Sequence, residues 1–175
     1  MPHLIHLMSS TSTPQTKPLS QTLVGTWELL SRVDRTAAGE RRIDPGLGEA
    51  PVALLYYDRS GNFAAQFMKR DRAPDASSVS EPSGAAPGSG AHNNSRAQGG
   101  YDAYFGTYFV DDSRGTVTQR LVGALSVENV GQVLTRAMVV DGDKLTIELD
   151  TVAADGEPVT RTLVWRRAAW KPLAG

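Results

Sequence analysis

Val133-Leu134-Thr135-Arg136-Ala137-Met138-Val139-Val140-Asp141-Gly142-Asp143-Lys144-Leu145-Thr146-Ile147-Glu148-Leu149-Asp150 is the stretch that decides the fold. In its second half Leu145, Ile147 and Leu149 alternate with Lys144, Thr146, Glu148 and Asp150, the period of two that marks a half-buried strand. Its first half, Val133 to Val140, is apolar and β-branched apart from Thr135 and Arg136. Between them, Asp141 can bond nearby amides and Gly142 supplies positive φ, so the chain reverses tightly. Strands joined by so short a turn run antiparallel.

The same pattern recurs along the chain. Trp27, Leu29 and Val33 alternate with Glu28 and Arg32; Val52 to Tyr57 is a short apolar run; Phe63, Ala65 and Phe67 alternate with Ala64, Gln66 and Met68. Tyr104 to Val110, the face Val117, Leu121 and Leu125, and Thr160 to Arg166 complete eight strand candidates. Asp58-Arg59-Ser60-Gly61, Asp111 to Gly115 and Asp155-Gly156 are further turns. No helical stretch is long enough for a parallel crossover. The chain is therefore expected to be all-β, an eight-stranded antiparallel up-and-down barrel with room for one small ligand, because closure removes exposed edges. A two-sheet sandwich is the alternative.

The 175 residues suit one domain. A net charge of -1, from 18 basic and 19 acidic residues, excludes a generally basic nucleic-acid surface. There is no cysteine, and the three histidines, His3, His6 and His92, are scattered. Disulfides, thiolate chemistry and the usual metal sites are excluded on that count, and neither a metal nor a cofactor is expected. No phosphate-binding glycine loop and no nucleophile elbow occurs.

Residues 1–20 hold seven Ser or Thr and three Pro, without periodicity, and are expected to be a disordered tail. The first basic residue is Lys17, so the short run Leu4 to Met8 does not read as a secretory signal. No window is apolar enough to span a membrane, and a cytoplasmic location is expected. The barrel is assigned to residues 21–168 and a C-terminal tail to 169–175. Within the barrel, residues 71–100 form a low-complexity insertion between the third and fourth runs, twenty of its thirty residues being Ala, Gly, Pro or Ser. It reads either as a flexible surface insertion or as a lid.

Leu23-Val24-Gly25-Thr26-Trp27-Glu28-Leu29 resembles the Gly-x-Trp opening of lipocalins. With Leu54-Leu55-Tyr56-Tyr57, Gly61, Gln66, Tyr104-Phe105-Gly106-Thr107-Tyr108, Arg136, Asp141 to Thr146 and Leu163-Val164-Trp165, the chain resembles the bacterial and fungal lipocalin-like domain family of calycin-type barrels over roughly residues 21–167. The resemblance implies that Trp27 plugs the closed end, that Gly25 allows close approach, and that Arg166 or Arg167, with Arg166 preferred, packs over the Trp. It implies either ligand holding or, as in some barrel relatives, cofactor-free cyclase or isomerase activity. Thr118-Gln119 stands where a His is common in the family, which weakens any His-dependent reaction.

If Trp27 points inward, alternation carries Leu29, Ser31 and Val33 inward too. Leu145, Ile147 and Leu149 are assigned inside, Gln119 shares a face with Val117, Leu121 and Leu125, and Arg136 with Leu134, Met138 and Val140. Arg161 shares one with Leu163 and Trp165. Tyr57, Gln66, Tyr104, Tyr108, Gln119 and Arg136 are the candidate ligand-binding residues, although Gln66 lies on the weaker of two equally apolar phases. Tyr104 and Tyr108 flank Gly106, a spacing that opens a gap for a ligand. Arg136 either points outward or pairs with Glu128, Glu148 or Asp150, or else it anchors a carboxylate, phosphate or enolate oxygen. No pair of inward carboxylates is expected, and no catalytic residue is assigned. The leading reading is a binder of a small apolar or amphiphilic metabolite; alternatives are a cofactor-independent cyclase or isomerase of a polyketide- or terpenoid-like substrate, and an interaction module. Whether the chain is an enzyme, and whether it is a monomer or a homodimer, stay open.

Overall fold

The computed structural model describes residues 17–72 and 97–169. The expected tails and insertion therefore lie largely outside the described residues, as do His3, His6 and His92. A short helix α1 (Leu19–Thr22) precedes β1 (Gly25–Arg35), the two-residue β2 (Arg41–Arg42), β3 (Val52–Tyr57), β4 (Asn62–Met68) and β5 (Tyr101–Asp111). Then come β6 (Thr116–Ala124), a 3-10 turn, β7 (Val133–Asp141), β8 (Lys144–Val152) and β9 (Pro158–Arg167).

All pairings are antiparallel in the order β2-β1-β3-β4-β5-β6-β7-β8-β9, and β1 also pairs with β9. Eight strands thus close into an up-and-down barrel, with β2 added at the end of β1. The residues expected as an insertion fall between β4 and β5, the third and fourth barrel strands. Asp-Gly turn chemistry works as the sequence implied: the Asp111 carboxylate accepts from the Ser113 and Arg114 amides, and Gly115 then takes φ 63°.

One end of the barrel is plugged. Helix α1 begins inside the stretch expected as a tail, and its Ser20 amide and hydroxyl bond the Asp112 carboxylate at 2.8 and 2.6 Å. Leu23, next in sequence, is fully buried beneath it. Its carbonyl accepts the Trp27 indole N–H at 2.9 Å. The cation over Trp27 is Arg167, 4.2 Å from the ring centroid, and it donates to the Val24 and Thr22 carbonyls at 2.9 and 2.7 Å. The preferred Arg166 is exposed instead and pairs with Glu28 at 2.9 Å. Register explains the correction, because Trp27 stands opposite Arg167 and Glu28 opposite Arg166. A Cβ on Gly25 would lie 2.6 Å from Arg167 Nη1, so the approach needs glycine there.

Alternation on β1 breaks halfway. A bulge between Leu29 and Ser31 leaves Leu30 unopposed and turns both Leu30 and Ser31 outward. From there the inward residues are Arg32 and Asp34, not Ser31 and Val33, and both are buried. At this second end a strap, residues 36–51 including β2, runs from β1 back to β3. It buries Leu47 completely and brings Gly46 against Ala97 and Gly48 against Lys69. The strap therefore crosses the barrel mouth from the β1 side to the β4–β5 side.

Candidate functional site

The interior faces carry Phe63, Ala65 and Phe67 on β4, Leu145 and Ile147 on β8, and Leu163 and Trp165 on β9, all buried. Leu149 is half-buried on the same face, whereas Leu125 is exposed. Phe67 and Trp165 meet edge to face at 5.7 Å, and Phe67 stacks with Tyr104 at 6.4 Å. These rings fill most of the barrel. What is left is a cavity with about 20 Å³ open to the centres of water molecules, room for one or two waters. The small-ligand chamber expected from strand number alone is thus largely occupied by aromatic side chains.

The cavity wall is mostly apolar, and besides Arg161 and Tyr104 it carries one connected polar chain. Arg136 Nη1 donates to Gln119 Oε1, Gln119 Nε2 donates to the Tyr57 hydroxyl at 2.8 Å, and that hydroxyl donates to Met138 Sδ at 3.7 Å. All three polar side chains are buried and line the cavity. Arg136 sits inward on β7 because Leu134 and Met138 share its phase. Among the described residues no carboxylate lies within 4 Å of it, so none of Glu128, Glu148 and Asp150 is its partner. Burial pushes the Tyr57 hydroxyl well above its ordinary pKa, against the pull of the Arg136 charge.

The other candidates are placed differently. Tyr104 lines the cavity beside Phe67. Tyr108 stands edge-on to Tyr57 at 4.9 Å, but its hydroxyl donates to the Asp58 carbonyl at 2.6 Å, away from the cavity wall. Gln66 faces outward and accepts from the Tyr101 hydroxyl at 3.0 Å, because the Phe63-Ala65-Phe67 phase of β4 is the buried one. Nor does Gly106 open a gap between the tyrosines. It sits opposite a bulge in β6, where Val122 is unopposed, and an added Cβ would be 1.8 Å from the Arg120 carbonyl oxygen. The glycine lets β6 approach and leaves no space for a ligand.

Above the cavity lies a charged cluster. Arg161 holds Asp34 through Nε–Oδ1 at 2.7 Å and Nη2–Oδ2 at 2.6 Å, and Arg161 also lines the cavity. Arg32 pairs with Asp44 of the strap at 2.7 Å and lies 3.6 Å from Asp34. Asp44 also accepts from the Gly46 and Leu47 amides at 2.8 and 3.0 Å. Burial raises the Asp44 pKa, but the Arg32 charge and hydrogen bond and the Leu47 amide outweigh it, and the net direction is down.

Asp102 is the fifth member, inward on β5 one layer above Tyr104 and opposite Phe67. It is 1% exposed, and neither carboxylate oxygen has a hydrogen-bond partner at ordinary geometry. Burial raises its pKa to about 6; Asp44 adds to the rise, while the Ala103 amide and Arg32 oppose it. Arg32 likewise keeps Nε and Nη1 unpartnered. Two buried carboxylates, Asp34 and Asp102, and the half-buried Asp44 thus cluster where no inward pair was expected. The bulge on β1 hid Asp34, and the strap, which has no strand period, hid Asp44. Asp102 was legible as the residue two before Tyr104 on one face. Among the described residues no group of three or more His, Cys, Asp or Glu side chains is placed to hold a metal ion.

The closed eight-stranded barrel agrees with one comparison. The family model for a lipocalin-like domain matches residues 24–168. The chain belongs to the lipocalin-like domain family. None of the curated proteins matches it. The lipocalin-like barrel is a fold consistent with ligand binding, and no helix among the described residues is long and apolar enough to cross a membrane.

Proposed function

We propose that this lipocalin-like barrel binds a small amphiphilic metabolite whose negatively charged or carbonyl oxygen is held by Arg136. One observation carries the reading: a buried guanidinium on the cavity wall that has Gln119 as a neutral partner and, among the described residues, no carboxylate. A buried cation left without a counter-charge is costly, and an oxyanion on the ligand would offset that cost with charge-assisted hydrogen bonds. Leu55, Ala65, Ile147 and Leu163 would surround the apolar part. A ligand larger than a few atoms enters only with movement of the Phe67 and Tyr104 rings or of the strap.

Carriage is favoured over cyclase or isomerase chemistry. The twelve residues lining the cavity include no Asp, Glu or His, and the Tyr57 hydroxyl is a poorer acid than free tyrosine. General acid–base catalysis needs a group that titrates near the working pH.

The test is native mass spectrometry of the protein purified from its own host, followed by denaturing extraction, on the wild type and Arg136→Met. The expected result is a co-purifying acid or carbonyl compound whose affinity falls roughly thirty-fold or more in the variant. A wild-type chain that stays free of any adduct across a panel of fatty acids and metabolite extracts overturns the reading. Binding unchanged by Arg136→Met removes the anchor.

A further inference from the structure

We propose that Asp102 is a proton-operated latch on the strap: neutral, it lets the strap seal the barrel mouth, and ionised, it loosens the seal. Asp102 is buried and neither of its oxygens has a hydrogen-bond partner at ordinary geometry, so Arg32 and the Ala103 amide offset only part of the cost of its charge. The charged groups facing the mouth are Arg32 and Asp34 on β1, Arg161 on β9, Asp44 on the strap and, beside Gly48, Lys69 after β4. The inner faces of β4 and β6 bring no charge near it. Arg32 and Arg161 are already matched by Asp44 and Asp34. A third carboxylate charge exceeds them, and Asp44 is one of the groups that repel it.

Lifting the strap relieves this in two ways. It lets water reach Asp102, and it carries Asp44 away. The part of the strap suited to such motion is its 44–48 turn: β2 is tied to β1 and, through Arg42, to Asp155 and Glu157, and Ala50 accepts from Arg70, whereas the turn is held by the Arg32–Asp44 bridge and the Leu47 side chain and leans on Ala97 and Lys69 through two glycines. By linkage, if opening returns Asp102 to an ordinary carboxylate, the closed form binds the proton more tightly than the open one. Opening then increases as pH rises from about 4 to about 6 and levels off above that, by up to about a hundred-fold. Asp44 keeps its charge across that range because its pKa is lowered. The consequence, a barrel that admits its guest near neutral pH and retains it in acid, rests on the binding function proposed above; the latch itself does not.

The test is hydrogen exchange of the full chain, with no ligand added, at pH 4.5 and 7.5 and corrected for intrinsic rates. The reporters are the amides of Gly46, Leu47 and Gly48, all bonded to Asp44. Their opening is expected to be at least ten-fold greater at pH 7.5 in the wild type and nearly pH-independent in Asp102→Asn. Amides of β8, at the far side of the barrel, serve as the control and confirm that the variant is folded. Equal strap opening at both pH values overturns the latch, as does the same pH response in Asp102→Asn. Should Asp102→Asn not fold, the pH response of the wild-type strap relative to β8 decides alone.

Discussion

Arg161 grips Asp34 through two parallel hydrogen bonds, across 127 residues of chain and with both side chains almost wholly buried. The pair joins β1 to β9, the two strands whose pairing closes the barrel. It sits just past the β1 bulge, so the bulge creates the inward position that Asp34 occupies.

Breaking this pair from one side leaves a buried guanidinium without its carboxylate. Asp34→Ala is expected to lower stability by about 3–5 kcal/mol, the range for a buried pair deprived of one member. Replacing both, Asp34→Leu with Arg161→Met, is expected to recover most of that loss, because an apolar pair of similar volume leaves no charge to desolvate. Urea denaturation of the wild type and the two variants checks this. A double variant no more stable than Asp34→Ala would show that the pair holds the barrel closed by geometry and not by charge balance.

The contrast between Arg167 and Arg166 gives a second expectation. Arg167 combines a stacked cation with two charge-assisted hydrogen bonds to Val24 and Thr22, so it ties β9 to the plug as well as to Trp27. Arg167→Ala should cost about 2–3 kcal/mol and shift the Trp27 emission to the red as water reaches the ring. Arg166→Ala removes an exposed pair with Glu28 and should cost less than about 1 kcal/mol. Thermal melts read by tryptophan fluorescence separate the two; equal losses would mean that the plug does not depend on the Arg167 contacts.

Much of the barrel was legible because its strands carry their own address. On β7, β8 and β9 the buried residues follow an unbroken period of two, so Arg136, Ile147 and Arg161 fall where counting places them. Counting fails where a bulge inserts a residue. Leu29-Leu30 reads as two apolar positions in one alternating run, and nothing local says that Leu30 is the unopposed one, since the bulge arises only against β9. Gln66 failed for a different reason: both faces of β4 are apolar, and Ala65 decides nothing by itself. The inside face is fixed by the registers to β3 and β5, which put Phe67 between Ala53 and Asp102. Gly106 was misread because a small residue beside aromatics marks either a cavity or a close backbone approach. Only the position of the Arg120 carbonyl tells which.

The last expectation concerns global stability and pH. A carboxyl whose pKa rises from about 4 unfolded to about 6 folded favours the folded state fully below pH 4, and that contribution is lost as pH climbs through 6. Removing the titration with Asp102→Asn should change stability at pH 4 by less than about 0.5 kcal/mol, since the wild-type group is then neutral in the folded state and only about half ionised in the unfolded one. Above pH 6.5 the variant should exceed the wild type by something on the order of 2–3 kcal/mol. Asp44, Asp58, Asp111 and Asp112, all with lowered pKa values, act in the opposite sense: they stabilise the folded state at neutral pH and lose that effect as pH falls below about 4. They are common to both chains, so the difference between variant and wild type isolates Asp102. Urea denaturation at half-unit steps from pH 4 to 8 gives that difference directly. A gap that opens between pH 4 and 6 and then stays level is the signature of a single buried carboxyl. A gap of constant size across the whole range would assign the gain to hydrogen bonds of the new amide and not to the lost charge.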